Sequence, residues 1–189
     1  IMYTSGTTGF PKGAVLSHEN LLSNAALIKR AFGNRSDGIG VSWLPLYHDM
    51  GLIGGVIQPV YCGGTCVLMS PAAFLQRPAM WLETISQTGA SVSGGPNFAF
   101  DLCVTRIRPE DRKHLDLSQW KVAFTGAERI RAETIERFAE TFADCGFRRE
   151  SFFPCYGLAE ATLMMTGGPR QTPPTILHVS PESLSHNRV

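Results

Sequence analysis

The sequence lacks the features that mark several large classes of protein. Of its 189 residues, 17 are Lys or Arg and 16 are Asp or Glu, leaving a formal net charge of only +1. That balance gives no electrostatic case for nucleic acid or for an anionic membrane surface, and basic residues are not interleaved with aromatics. No apolar run approaches the roughly 20 residues that cross a bilayer, and no secretory leader is read. No integral membrane segment and a cytoplasmic setting are therefore expected. Among five cysteines (Cys62, Cys66, Cys103, Cys145 and Cys155) there is no C-x-x-C pair, and the number is odd, which argues against a disulfide framework. Cys62 and Cys66 flank the turn Gly63-Gly64-Thr65, but zinc would need two further ligands. Structural thiols are expected there.

What is present begins at the start of the chain. Tyr3-Thr4-Ser5-Gly6-Thr7-Thr8-Gly9-Phe10-Pro11-Lys12-Gly13 combines hydroxyls, glycines and one lysine directly after the apolar pair Ile1-Met2. Glycines let backbone approach an anion, hydroxyl and N–H groups donate to phosphate oxygens, and lysine adds a compact positive charge. The stretch reads as a phosphate cradle. It fails the P-loop pattern, because Pro11 stands where the second glycine belongs and Gly13 where the magnesium-binding Ser/Thr belongs. A flexible polar loop is the bland alternative.

Downstream, apolar strands and amphipathic helices alternate. Residues 1–4, 14–16, 39–44, 65–69, 91–93, 121–125 and 152–155 read as strands, with 176–179 as a weaker candidate. Helices are expected after the N-cap Ser17 to about Phe32, over 51–61, from Pro78 to about Thr88, and over 132–144. Residues 106–113 read as a solvated charged surface. The alternation predicts an α/β fold: layered, largely parallel sheets flanked by helices. Ser5 to Lys12, Gly126-Ala127-Glu128 and Tyr156 to Thr162 each follow a strand, so they should converge on one crevice at the strands' carboxyl ends. His48-Asp49, after the third strand, reads either as a helix cap with a core-edge histidine or as part of that crevice. Gly94-Gly95-Pro96-Asn97-Phe98-Ala99-Phe100 reads equally as a helix start with two core rings or as a pocket wall. Hydrophobic residues make up 43% of the chain, enough for one domain or a large piece of one. The chain opens on Ile1 and ends in a polar stretch, so a piece of a longer protein is expected.

Taken together the motifs resemble those of the adenylate-forming superfamily. Residues 3–13 are similar to its phosphate-binding signature, Tyr156-Gly157-Leu158-Ala159-Glu160 to its Y-G-x-T-E motif, and Gly126-Ala127-Glu128 to its adenine-contacting segment. Within the superfamily the chain most resembles the fatty acyl-AMP ligases, through Leu44-Pro45-Leu46-Tyr47-His48-Asp49-Met50-Gly51-Leu52-Ile53-Gly54, residues 94–103 and Tyr156-Gly157-Leu158-Ala159-Glu160-Ala161-Thr162-Leu163. Ala159, where the wider superfamily often has threonine, fits that branch. Arg129-Ile130 departs from a proline common after the adenine segment.

The resemblance implies a partial AMP-binding (adenylation) domain over residues 1–189, from the N-terminal domain of such an enzyme, with the C-terminal lid domain, its lysine and the ribose-binding aspartate absent. It implies ATP-dependent conversion of a fatty acid to an acyl adenylate, with ATP and Mg²⁺ as cofactors. The acyl group would pass to an acyl carrier protein or polyketide synthase. Thr4, Ser5, Gly6, Thr7, Thr8, Gly9 and Lys12 would hold phosphates, and Gly126, Ala127, Glu128, Tyr156, Gly157, Leu158 and Ala159 the nucleotide. Glu160 would hold the metal, and His48 would lie near the reacting carboxylate. The implied catalytic set is Lys12, His48 and Glu160. Met50, Gly51, Ile53, Asn97, Phe98 and Phe100, with His48, are candidates for the acyl site. A long-chain acyl-CoA synthetase or a peptide-synthetase adenylation domain is the alternative of the same class. An inactive truncated nucleotide-binding fragment is the alternative of another.

Overall fold

Local sequence sets the element boundaries with little ambiguity over most of the chain. In the structure, a computed structural model, residues 1–4, 10 and 12–188 are described. The predicted cradle residues Ser5, Gly6, Thr7, Thr8 and Gly9 lie outside them. Strand β1 (Met2–Thr4) pairs antiparallel with β2 (Lys12–Ala14), Thr4 opposite Lys12. The second strand thus lies earlier than the predicted 14–16, and Val15 is exposed. Helix α1 (His18–Phe32) starts at Ser17, whose hydroxyl accepts from the Asn20 N–H while the Asn20 side chain accepts from the Ser17 N–H. This is a capping box built with Asn in the usual Glu/Gln place. Gly33, in the left-handed conformation, ends the helix.

Then follow β3 (Ile39–Ser42), a π-helix (Met50–Ile57) that continues as α2 (Gln58–Cys62), β4 (Thr65–Leu68), α3 (Pro71–Gln76), α4 (Ala79–Thr88) and β5 (Val92–Gly95). Helices α5 (Asn97–Arg106) and α6 (Pro109–Arg112), β6 (Val122–Thr125), α7 (Ala132–Thr141), β7 (Phe152–Gly157), β8 (Met164–Gly167) and α8 (Pro181–Ser185) complete the order. The main sheet runs β4-β3-β5-β6-β7-β8. Neighbours are parallel up to β7, and β8 is antiparallel to it. The expected α/β architecture with a largely parallel sheet is thus present.

The differences have physical causes. The predicted strand over 176–179 does not form, since Pro173 and Pro174 remove ladder donors just before it and Leu177 is exposed. The edge position is taken by β8, which the Asn24 side chain grips from α1: Asn24 Nδ2 donates to the Met164 carbonyl at 2.8 Å and its Oδ1 accepts the Met164 N–H at 3.2 Å. The predicted helix over 51–61 is a π-helix for most of its length, a form found often at functional sites.

Two apolar layers enclose the sheet. On one face α4, α5 and α7 bury Trp81, Phe100, Phe138, Trp120 and Phe152 in one cluster. On the other, Ile28 and Phe32 of α1 pack on Val122, Phe124 and Phe153. The two layers fix the parallel strands, so all five carboxyl ends emerge on one side.

Candidate active site

Three of the loops leaving those carboxyl ends line a single cavity of about 1200 Å³. After β3 come Leu46, Tyr47, His48, Asp49 and Met50. After β6 come Gly126 and Ala127, and at the end of β7 Tyr156, Gly157, Leu158, Ala159 and Glu160. Tyr3, Phe10 and Lys12, from the β1–β2 ribbon, line it as well.

The backbone is shaped closely around this crest. A Cβ on Gly126 would sit 2.7 Å from the Cys155 carbonyl oxygen, so only glycine lets this loop lie against β7. Ala127 then has φ of 65°. After Glu160, Thr162 has φ 76° and ψ −64°, and the Leu163 N–H bonds the Ala161 carbonyl at 3.1 Å. That is the strained form of the γ-turn, on a β-branched residue. Left-handed backbone on such residues costs of order 1–3 kcal/mol each and clusters at functional sites. Ala127 lies in the middle of one predicted motif and Thr162 closes another, while Gln171 and Asn187, also at positive φ, lie outside them.

His48 is half-exposed, with Nδ1 2.6 Å from Oδ1 of the buried Asp49. The same Oδ1 accepts the Met50 N–H at 2.7 Å, so Asp49 also caps the π-helix. The Met50 N–H lies 3.3 Å from His48 Nδ1 as well. Its shorter bond to Asp49 leaves Nδ1 to donate to the carboxylate and Nε2 for a ligand. The Asp49 hydrogen bond raises the His48 pKa above the ordinary value near 6.5, against the lowering effect of partial burial. The imidazolium therefore persists to higher pH than in a free histidine. Any stability it lends is full below about pH 6.5 and is lost as pH rises through the raised value. Asp49→Asn is expected to lower the His48 pKa, read by NMR titration of its ring protons. An unchanged titration would show that the Nδ1 bond to Asp49 does not form.

The structure gathers Lys12, His48, Met50, Gly126, Ala127, Tyr156, Gly157, Leu158, Ala159 and Glu160 on the cavity. Thr4 is placed on β1. The other candidates are turned to packing. Gly51 and Ile53 are buried, and a Cβ on Gly51 would collide with the Pro45 carbonyl. Phe100 is a core ring at 1% exposure, and Asn97 is buried. Phe98 is partly exposed and sets its ring edge-on to Trp43 at 6.0 Å. The Glu128 carboxylate accepts the Phe98 N–H at 2.7 Å. Leu52 and Gly54 of the π-helix do line the cavity, because the wider i→i+5 turn changes which residues share a face. Tyr47 and Leu163, which lie inside the motifs but are not among the site candidates, also line it, and so does Cys155, which carries no sequence signal. Burial pushes the Cys155 thiol up to about 11, and Cys66 likewise to about 11. Neither is a thiolate nucleophile near neutral pH.

Among the described residues no group of three or more His, Cys, Asp and Glu could hold a metal by itself. Glu160, exposed on the 3₁₀ turn Ala159–Ala161, offers one carboxylate to the cavity. A single carboxylate suits a magnesium ion that brings phosphate oxygens and water as its other ligands.

Known proteins share this chain's sequence and fold. The family model described as AMP-binding enzyme matches residues 1–182. The chain is 47% identical over its whole length to the medium-chain-fatty-acid–[acyl-carrier-protein] ligase JamA of Moorena producens, covering 32% of that protein. Over 180 residues it is 43% identical to the 4-hydroxyphenylalkanoate adenylyltransferase of Mycobacterium tuberculosis, covering 93% of this chain and 29% of the relative. A solved fatty acyl-adenylate ligase from L. pneumophila, in complex with acyl adenylate and pyrophosphate, superposes with a TM-score of 0.88 at 52% identity, over 90% of this chain and 30% of that one. The chain spans about a third of the length of the curated relatives it matches.

Proposed function

Because this chain belongs to the AMP-binding enzyme family, we propose that the protein of which it is part activates a fatty acid as its acyl adenylate. Pyrophosphate is released, and the acyl group then passes to an acyl carrier protein, in the manner of a fatty acyl-AMP ligase. The observation that carries this reading is the convergence of Lys12, His48, Gly126-Ala127 and Tyr156 to Glu160 on one cavity. The same cavity of about 1200 Å³ runs on from these loops along the α1 face of the sheet, past Gly38, Ser91 and Lys121.

Two anions must meet for a carboxylate to attack the α-phosphorus of ATP. At 4 Å two unit charges of like sign repel by about 1 kcal/mol in water and about 4 kcal/mol near a protein surface. Lys12, with Ser5 to Gly9, offsets this on the β- and γ-phosphates. The His48 imidazolium offsets it at the carboxylate or α-phosphate, oriented by Asp49. Tyr156 and the backbone of Gly126 and Ala127 seat the adenine. Glu160 holds Mg²⁺, which neutralises the phosphate oxygens when bound. Met50, Leu52 and Gly54 offer an apolar wall to the acyl chain, while the ribose aspartate and the lid lysine come from the remainder of the parent.

ATP–pyrophosphate exchange by the full-length parent tests the first half of this reading. A fatty acid should support exchange, and amino acids should not. Offering holo carrier protein or coenzyme A as the sole acceptor tests the second half, with transfer expected only to the carrier. Absence of fatty-acid-dependent exchange overturns the adenylation reading, and transfer to coenzyme A alone overturns the choice of acceptor.

A further inference from the structure

The turn that faces the nucleotide side of the cavity is held from outside the cavity. Gly126 and Ala127 line it, yet the side chain of the next residue leaves it: Glu128 accepts the backbone N–H of Phe98, in the first turn of α5, at 2.7 Å. Three residues on, the arrangement is returned. Asn97, the first residue of α5, accepts the Arg131 backbone N–H through Oδ1 at 2.9 Å, just before α7 begins. The loop between β6 and α7 is therefore pinned to the start of α5 twice, at Glu128 in its middle and at Arg131 at its end.

The two pins differ in character. Asn97 is 5% exposed, and its Nδ2 donates to Thr134 Oγ1 at 3.1 Å and lies 3.3 Å from Asp101 Oδ2. The Thr134 hydroxyl donates to the same Asp101 oxygen at 2.9 Å. This pin is embedded in the α5–α7 contact. Glu128 is exposed and makes its bond across 30 residues of sequence, where a solvated carboxylate would ordinarily stay in water. Its acceptor oxygen satisfies one of the orphan donors of a ten-residue helix. Ala127, with φ of 65°, sits immediately before the Glu128 pin. Such a conformation persists only where the surroundings over-determine it, and the bond from the adjacent residue supplies that constraint.

We propose that Glu128 is a positioning residue, a strut that holds the strained Gly126-Ala127 turn in place by fastening it to the first turn of α5. Its carboxylate works as a hydrogen-bond acceptor and contacts neither nucleotide nor metal. This rests on the nucleotide-facing role proposed above for Gly126 and Ala127. It adds that the nucleotide turn and the start of α5 move as one body.

The test compares Glu128→Ala with Glu128→Gln in the full-length parent. Glutamine retains an acceptor oxygen of the same reach and loses the charge. The first readout, amide hydrogen–deuterium exchange, is independent of activity. Glu128→Ala should speed exchange both in residues 97–101 and in residues 126–131, and Glu128→Gln should leave both near wild type. The second readout is kinetic: Glu128→Ala should raise KM for ATP about tenfold, the scale of one hydrogen bond to a charged group, with kcat changed much less, and Glu128→Gln should restore most of the loss. Exchange in 126–131 that stays unchanged in Glu128→Ala, or a glutamine variant as impaired as the alanine one, overturns the strut. A wild-type parent inactive in ATP–pyrophosphate exchange would overturn the adenylation reading instead, while the hydrogen-exchange comparison would still decide the strut.

Discussion

Replacing Glu160 by alanine in the full-length parent is expected to lower acyl-adenylate formation by a factor of about 10²–10³ or more, the scale for losing one preorganised electrostatic element of an active site. The expectation starts from where the residue stands. The γ-turn at Thr162 and the grip of Asn24 on Met164 fix the chain just beyond it, and the end of β7 fixes it just before. The carboxylate is exposed on that fixed turn and lines the cavity. Among the described residues it has no hydrogen-bond or ion-pair partner. A surface position of this kind contributes within about 0.5 kcal/mol to folding, so the thermal midpoint should not move. Hydroxamate trapping of the adenylate, run across a range of Mg²⁺ concentrations, reads the chemistry. Glu160→Gln should be nearly as impaired as alanine, since an amide keeps the size and loses the charge that attracts the cation. A variant that retains most of its trapped adenylate would remove Glu160 from the site.

The sequence made the crest of the sheet legible and its flanks much less so. Gly126-Ala127 and Tyr156 to Glu160 were readable because parallel topology forces every post-strand loop to one side, so chain order alone predicts their meeting, whereas His48-Asp49 could be read either as a helix cap or as part of that crevice. What could not be read depended on conformations that local rules exclude. Thr162 makes a turn at positive φ that no β-branched residue advertises, and the antiparallel β8 beyond it went unseen for that reason. The π-helix replaced the assumed 3.6-residue period, exchanging Ile53 for Leu52 and Gly54 as cavity-lining residues. Asn97 and Glu128 have residue types expected of a binding site, but each is engaged by a partner some 30 residues away. No pattern along the chain reports such a contact.

Phe100 sharpens that distinction, because its two readings predict opposite outcomes. As a wall of the acyl site, Phe100→Ala would alter acyl-chain preference and leave stability alone. The structure instead gives Phe100 ring neighbours at 5.0 Å (Phe152), 5.1 Å (Phe138), 5.5 Å (Trp81) and 6.3 Å (Trp120). At 1% exposure it sits in the middle of the layer between α5, α7 and the sheet. Removing a ring from such a site costs about 3–5 kcal/mol, transfer and cavity terms together, against a typical total of ~5–15 kcal/mol. The thermal midpoint should fall by about 10 °C. Urea unfolding of this chain, followed by tryptophan fluorescence, is a suitable measurement. Trp81 and Trp120 touch the same ring, and Trp43 lies 6.1 Å from Trp81. Phe98 supplies the control. Two residues earlier on the same helix, it points about 160° away around the axis. It is 40% exposed, with Trp43 as its ring partner, so Phe98→Ala should cost only about 1 kcal/mol. Equal losses from the two substitutions would mean that α5 does not present these faces. A Phe100→Ala chain as stable as wild type would return the residue to the acyl wall.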